Sequence, residues 1–545
     1  MKKVHSFKLH LFFFLTVSLI SCAQDNILQE EKSFDYGTTI ISLEPISESE
    51  RLTSSVKRLH DILKNKNKKG YKGSDSVFTI LHIGDSHIQG DYFTSVIRKQ
   101  LQNYFGNAGQ GILFPYATAQ SYGPKGLEVK TKGKWKGVKT MTQNLTYDLG
   151  LSGYGVFINN TNCSLSVTLN EKFDVDLPLS KFAPVQKINI WHTAGPGSFL
   201  TSLDDNFKLV DKKLFPSGWG VSTYFNENKT NGFTIIPENT NGGQYYYGFY
   251  GFELLPLEQR GISYHHCGVV GAQFTHLIKN AKLAMDQLKL LKPDIIVFSF
   301  GTNEAYNGNF DTDNYIRVIK NFILEINKIS PGTAIIFTTA PDTRSQGKTP
   351  PHQINVNKAL MKIADETSSS IYDLNTAMGG WGSMNTWFSK QLTLKDKLHF
   401  NTDGYAIQGK LFALALLEFY NKKNSSDTLN LNQIRKSIDQ SMRILSRSKQ
   451  VHQINEQNDS TKTTVTDSAS IDKNHINHDI KKVKDKKNDK LSSKEKKKVH
   501  VVKKGDTLSK IARIYKVSIN TIAKMNGIPV TKVLRLGQKL IIPRK

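Results

Sequence analysis

The chain has 545 residues, 38% hydrophobic and 22% charged, ordinary for globular protein and too long for one compact core, so two or more domains are expected. Lysine and arginine number 73 against 47 aspartates and glutamates, a formal net charge of +26 that brings polyanionic partners and acidic surfaces into consideration. The 3 cysteines, Cys22, Cys163 and Cys267, exclude a disulfide-stapled scaffold and any CxxC-type zinc or redox site, and the composition excludes collagen-like and fully disordered classes.

Lys2, Lys3 and Lys8 precede an apolar run from Leu11 to Ile20 that only Thr16 and Ser18 interrupt. Such a run covers about 15 Å of helix, half of the ~30 Å hydrocarbon core, and so reads as an export signal, not a membrane span. It closes on Leu19-Ile20-Ser21-Cys22, which resembles the lipobox of bacterial lipoproteins. The resemblance implies that Cys22 is diacylated and becomes the mature N-terminus, tethering the protein to a membrane face. Ala23-Gln24, with no Asp at the second position, implies the periplasmic face of the outer membrane. The alternative is an ordinary signal peptide that contains a cysteine. Residues 1–21 are assigned to the signal and 22–50 to a polar spacer.

VFTILHI (77–83) is a β-branched apolar run that stops at Gly84 and predicts a buried strand, followed by a helix over 91–105. DIIVFSF (294–300), TAIIFTT (333–339) and SSIYDL (369–374) repeat the pattern, each after a helix-period stretch, 273–290, 313–329 and 354–367. Alternation of short buried strands with helices predicts an α/β, doubly wound parallel sheet of flavodoxin-like layering, assigned to 51–110 and 262–422. Its last helix is placed at 403–421.

Residues 111–261 differ in texture, rich in Gly, Asn, Thr and aromatics, with period-two runs such as 163–177, 185–192 and 244–255. An inserted β-sandwich is predicted. Trp135, Trp191, Trp219 and Tyr245 to Tyr247 offer a sugar-stacking platform, although such residues are more often core and cross-strand pairs.

Residues 423–498 turn polar, and 481–498 hold ten lysines against three acids. This segment reads as a disordered tether in which 431–447 can form an isolated helix. The last segment, 499–545, is compact: a strand at 499–502, helices at 508–515 and 519–525 capped by Asp506-Thr507 and Ser518, and a closing strand in LRLGQKLIIP. VVKKGDTL, IARIY, IAKMNGI and LRLGQKLIIP together resemble a LysM domain (βααβ) along its whole length. That implies binding of N-acetylglucosamine-containing glycans, mainly peptidoglycan, in a groove lined by Gly505, Asp506, Thr507, Leu508, Asn526, Gly527 and Ile528.

Gly84-Asp85-Ser86-His87 directly follows the first strand, where open α/β sheets bind ligands. Alone it is a weak match, more often a turn in which Asp85 or Ser86 caps the next helix. Gly268-Val-Val-Gly271-Ala272, Gly301-Thr-Asn303-Glu304 and Asp396-Lys-Leu-His399 recur at the matching strand ends or before the last helix. In this order the four blocks resemble those of the SGNH (GDSL-type) hydrolases over about 76–106 and 262–421. The resemblance implies a serine esterase: Ser86 as nucleophile, His399 as its base and acid, Asp396 orienting the imidazole. The oxyanion donors implied are the Ser86 and Gly271 N–H groups and the Asn303 side-chain amide. His82, His87, His265 and His266 read as local hydrogen-bonding residues, His87 also being placed to contact substrate; no metal and no cofactor are implied. Cys267 is expected to pack against the sheet, with a bridge to Cys163 left open.

GDSHIQGDYFTSVIRKQLQNYFGNAGQG (84–111), ahead of a large β insertion, is similar to the peptidoglycan O-acetylesterases that carry a carbohydrate-binding-like domain inside the SGNH fold. A wall-directed, lipid-anchored carbohydrate acetylesterase is the expected function. A glycan O-acyltransferase, a lysophospholipase-type lipase and an inactive wall-tethering protein are the alternatives. The basic balance, concentrated partly in the tether, then gives no reason to expect nucleic acid as a partner.

Overall fold

The structure, a computed structural model, describes residues 41–65, 73–170, 185–204, 206–279, 281–344, 347–441 and much of 498–542. The chain divides into two compact units, Met1–Thr463 and Thr464–Lys545. The proposed lipidation residue Cys22 and the Lys-rich 481–497 lie outside the described residues.

The first unit is organised on a six-stranded sheet in the spatial order Ser370–Tyr372, Ala334–Thr338, Ile295–Ser299, Val77–Gly84, Gly261–Gly268, Asn107–Gly109. All neighbours run parallel. The predicted strands are continuous apolar runs because both faces of the sheet are covered. Ile295, Val297, Ala334 and Ile336 enter one core with the helices Glu50–Asn65, Tyr92–Phe105 and Thr402–Lys423. Their sequence neighbours Ile296, Phe298, Ile335 and Phe337 enter a second core with the helices Ala281–Leu291, Thr312–Ile329 and Gln353–Glu366. The stretch predicted as one helix, 273–290, is two, Phe274–Lys279 and Ala281–Leu291.

Between Asn107–Gly109 and Gly261–Gly268 the chain forms two antiparallel sheets. The larger runs Lys208–Phe215, Trp219–Thr230, Val185–Thr193, Tyr247–Leu255, Tyr154–Ile158, Lys136–Lys139, with Ile112–Leu113 paired onto Tyr247–Leu255. The smaller runs Leu127–Lys132, Ser164–Leu169, Gly232–Glu238, Leu200–Leu203. Leu165, Val167, Phe233 and Ile235 of the small sheet share a core with Ile188, Ile190, Phe249 and Phe252 of the large one, and the rings of Phe233 and Phe252 are 5.1 Å apart. That is sandwich packing. The module is also fused to the α/β layer: Leu149, Leu151, Tyr154, Trp191 and Trp219 lie in the second core, and Gln287 Oε1 accepts the Leu151 N–H at 2.8 Å.

Two expectations are corrected and one open question is closed. Residues from 41 onward are not spacer: the Ser42 and Ser47 N–H groups donate to Ala377 and Ile371 carbonyls, and Ile46 is buried against Tyr372. Residues 424–441 are not tether: a helix over 432–441 buries Ile434 and Ile438, with Leu431 just before it, in the first core. Cys163 and Cys267 are both buried and both free, each in a different core, so no bridge joins them.

In the second unit Lys498–Val501 pairs antiparallel with Lys539–Ile542, and the helices Leu508–Tyr515 and Ile519–Met525 complete a small core of Val502, Leu508, Ile511, Ala512, Ile522, Leu540 and Ile542. Ser518 caps the second helix, its Oγ accepting the Thr521 N–H at 3.0 Å.

Candidate active site

The Val77–Gly84 strand sits mid-sheet and pairs in register with Gly261–Gly268, ending Gly84 opposite Gly268. A Cβ on Gly84 would overlap the Ser299 carbonyl, and one on Gly268 the Gln89 backbone, so the glycines let the neighbouring Ile295–Ser299 strand and the helix after Asp85 approach the two strand ends. Asp85, not Ser86, caps the short helix Ser86–Gln89, its Oδ1 accepting the His87 N–H at 2.9 Å. That leaves the Ser86 hydroxyl for other work.

Ser86 Oγ lies 3.0 Å from His399 Nε2, and His399 Nδ1 lies 2.8 Å from Asp396 Oδ2. The other Asp396 oxygen accepts the N–H groups of Leu398 and His399, both at 3.0 Å. Lys397, with φ of 53°, makes the left-handed step that turns the loop back on its own aspartate. Burial alone would raise Asp396; the hydrogen bonds from His399 and the two N–H groups outweigh it and hold the carboxyl below its ordinary value. A hydroxyl, an imidazole and a carboxylate in hydrogen-bonded line can generate a nucleophile at neutral pH.

The Ser86 and Gly271 N–H groups donate to no group among the described residues. Gly271, at φ of 75°, turns there as the strand ending at Gly268 runs into the next helix. Asn303 follows the Ile295–Ser299 strand; its Nδ2 donates to the Ala272 carbonyl at 2.9 Å and to Asp85 Oδ2 at 3.4 Å. Glu304 fixes this turn: its carboxyl accepts the Gly301 N–H at 3.0 Å and the Phe274 N–H at 2.7 Å, joining the Asn303 turn to the helix after Gly271.

His87 is buried, with Nδ1 2.9 Å from the Tyr405 hydroxyl and its ring 5.5 Å from that of His399. Burial, assisted by the His399 charge, pushes it down to about 3, so it stays neutral beside the His399 imidazole. His82 bridges the Tyr264 hydroxyl and Ser299 Oγ at 2.8 and 2.7 Å. His265 bonds the Ile112 N–H at 3.2 Å and Ser263 Oγ at 3.1 Å, and His266 faces Asp91 at 3.6 Å. No group of three or more His, Cys, Asp or Glu suited to a metal occurs among the described residues.

Residues not assigned a role from sequence complete the site. Gln89, fully buried, accepts from the Tyr154 hydroxyl and the Val270 N–H, both at 2.6 Å, and donates to Ser121 Oγ at 2.9 Å and to the Tyr122 carbonyl. It thus ties the Ser86–Gln89 helix, the Gly271 turn and the inserted module together. Tyr122, 47% exposed, donates its hydroxyl to the Ser86 carbonyl at 3.2 Å. Gln89 stands three residues past Ser86, a visible signal; Tyr122 lay hidden in the β-rich segment.

Of the aromatic platform, Trp191, Trp219 and Tyr247 are buried and Trp135 and Tyr246 part-buried, while Tyr245 is 67% exposed. In the second unit Leu508 is buried, Asp506 Oδ2 lies 2.9 Å from His500 Nε2, and Ile528 is part-buried. Asn526 spends its side chain on the closing strand, donating to Ile541 O at 2.8 Å and accepting from Ile541 N at 2.7 Å. Gly505, Thr507 and Gly527 lie outside the described residues.

Residues 240–407 match the GDSL-like Lipase/Acylhydrolase family and residues 500–543 the LysM domain. No curated protein matches the chain. Among solved structures, a peptidoglycan O-acetylesterase superposes with a TM-score of 0.55 at 24% identity, covering 68% of this chain and 96% of its own. A lipase/acylhydrolase from Enterococcus faecalis matches at 20% identity over 30% of this chain and 78% of its own, TM-score 0.24. The acetylxylan esterase Axe2 from Geobacillus stearothermophilus matches at 19% over 29% and 73%, TM-score 0.24. The chain therefore has the SGNH/GDSL hydrolase fold and a LysM domain. Ser86 falls outside the matched range.

Proposed function

We propose that the protein is a serine esterase of the cell envelope that removes acetyl groups from O-acetylated peptidoglycan or a related acylated glycan. The observation that carries this reading is the unbroken line from Ser86 Oγ through His399 to Asp396, at 3.0 and 2.8 Å, at the end of the central strand. His399 Nε2 takes the hydroxyl proton as Ser86 Oγ bonds to the acetyl carbon, and Asp396 stabilises the imidazolium formed. The tetrahedral oxyanion lies against the Ser86 and Gly271 N–H groups, with Asn303 as third donor. His399 then passes its proton to the sugar oxygen as the ester C–O bond breaks. Water, activated by the same imidazole, releases acetate from Ser86.

The similarity in fold to a peptidoglycan O-acetylesterase and the LysM match support the choice of polymer. A wall-binding LysM on the same chain raises the local concentration of catalyst at the glycan. Acylated Cys22 would hold the other end of the chain at the periplasmic face of the outer membrane.

The test is acetate release from O-acetylated peptidoglycan by residues 23–545 and by Ser86→Ala. The expectation is release by the first and none above background by the second; equal release sinks the serine mechanism. Sedimentation with purified sacculi should fall when 499–545 is deleted, and unchanged sedimentation would remove the LysM from the reading.

A further inference from the structure

The loop after the Ala334–Thr338 strand leaves the same edge of the parallel sheet as Ser86 and Asn303. It is pinned to both sides of the crevice. The Tyr306 hydroxyl, just beyond the Asn303 turn, donates to Thr343 Oγ1 at 3.3 Å. The Arg344 N–H donates to the carbonyl of Lys397, inside the Asp396–His399 loop, at 2.8 Å. Arg344 itself is part-buried, its Nε is shielded from solvent with no hydrogen-bond partner, and its guanidinium enters no ion pair among the described residues.

A guanidinium keeps its charge and presents five N–H donors in a planar fork that matches a carboxylate. Shielding one donor without an acceptor is unfavourable unless a ligand supplies the acceptor. Asp342 is the neighbouring carboxylate: burial raises it and the Arg344 charge opposes the rise, yet it accepts the Met384 N–H at 2.8 Å and makes neither a hydrogen bond nor an ion pair with Arg344, so the shielded donor still lacks an acceptor. The Lys397 ammonium is turned onto the Phe388 ring, 4.2 Å from its centre.

We propose that Arg344 is the anion-reading residue of this crevice, binding a carboxylate carried by the acylated glycan. The proposal rests on the esterase reading above and narrows its substrate class. Neutral acetylated glycans such as xylan have no group for Arg344. A muramic acid ring carries a lactyl carboxyl, free or amidated to a peptide that brings carboxylates of its own.

The test compares kcat/KM of the full-length protein, Arg344→Gln and Arg344→Lys on three esters: 6-O-acetyl-N-acetylmuramic acid, an O-acetylated muropeptide and neutral acetylated xylobiose. In Arg344→Gln the ratio of anionic to neutral kcat/KM is expected to fall about tenfold or more, chiefly through KM. Arg344→Lys should recover part of it, and added salt should lower the wild-type ratio. A fall on the monosaccharide assigns the lactyl carboxylate; a fall on the muropeptide alone assigns the peptide. An unchanged ratio in Arg344→Gln overturns the proposal. If peptidoglycan is not the polymer, N-acetylmuramic acid should still inhibit 4-nitrophenyl acetate hydrolysis more than N-acetylglucosamine does, and Arg344→Gln should abolish that difference. Equal inhibition by the two sugars overturns the anion site, whereas absence of any ester hydrolysis by the wild type overturns the esterase reading instead.

Discussion

Asp85 Oδ2 accepts the side-chain amide of Asn303 at 3.4 Å, directly behind the nucleophile turn. Burial raises Asp85 to about 8; the His87 N–H opposes the rise and the Glu304 charge adds to it. Glu304 itself is raised by burial to about 7. Both values lie above those of an unfolded chain, ~4. Their contribution to stability is therefore complete below about pH 4 and is lost as pH climbs through 7 and 8. The urea midpoint should fall over that window, and Asp85→Asn should flatten its upper part. An Asp85→Asn profile parallel to wild type across the window would exclude Asp85 as a source.

The two contacts of Asn303 are unequal, 2.9 Å to the Ala272 carbonyl and 3.4 Å to Asp85. The longer is the one to exchange when an oxyanion forms, while the shorter keeps the amide in place. Asn303→Ala should lower kcat by about 10²–10³ with little change in KM. A change confined to KM would show that the amide only binds substrate.

Asp91 and Arg98 form a buried ion pair at 2.6 Å, exposed 2% and 1%, and Thr94 Oγ1 also donates to Asp91 at 2.6 Å. Burial would raise Asp91, but Arg98 and then His266 outweigh it and hold the carboxyl below its ordinary value. Its contribution is therefore present above the unfolded carboxylate value and lost as pH falls through the lower, folded one. Arg98→Leu, which strands a buried charge, should cost about 3–5 kcal/mol, and the double change with Asp91→Asn should cost less. Chemical denaturation of both variants measures the difference; equal losses would mean that Arg98 acts by packing alone.

The parallel sheet was legible because both its faces are covered, so Ile295 to Phe298 and Ala334 to Phe337 are apolar without interruption. Ser86, His399 and Asp396 were legible through short blocks at a strand end and before the last helix, although 313 positions separate Ser86 from His399 and the fold brings them to 3.0 Å. What hydrogen-bonding side chains bind to was not. Nothing in a sequence says that Gln89 reaches Tyr154, or that Asn526 turns to Ile541. The edges of the first unit were hidden for a related reason. Residues 41–49 and 424–441 are mostly polar, and their hold on the core comes from a few apolar side chains and backbone hydrogen bonds to Ile371 and Ala377.

The tryptophans of the β module should behave as core. Trp219 is 1% exposed and stacks on Phe215 and Trp191 at 4.1 and 5.7 Å. Trp219→Ala is expected to cost about 3–5 kcal/mol. Tyr245, 67% exposed, should be replaceable by Ala within about 0.5 kcal/mol. Thermal unfolding of the two variants distinguishes the positions, and a Trp219→Ala protein as stable as wild type would return that residue to the candidates for sugar stacking.

Leu431, Ile434 and Ile438, exposed 5%, 1% and 3%, extend the core that holds Leu411 and Leu414. Arg435 adds an ion pair to Glu418 at 2.6 Å, on a side chain too exposed to contribute much. Burying an aliphatic side chain is worth about 1.5–3 kcal/mol, so the three together represent at most about 4–9 kcal/mol, comparable to the whole stability of a domain. A chain ending at 424 should therefore unfold at a markedly lower temperature than one ending at 441, and expose apolar surface that binds a hydrophobic dye at 25 °C. Matching transitions would mean that the 432–441 helix rests on the fold without stabilising it, and would restore the tether to its full predicted length.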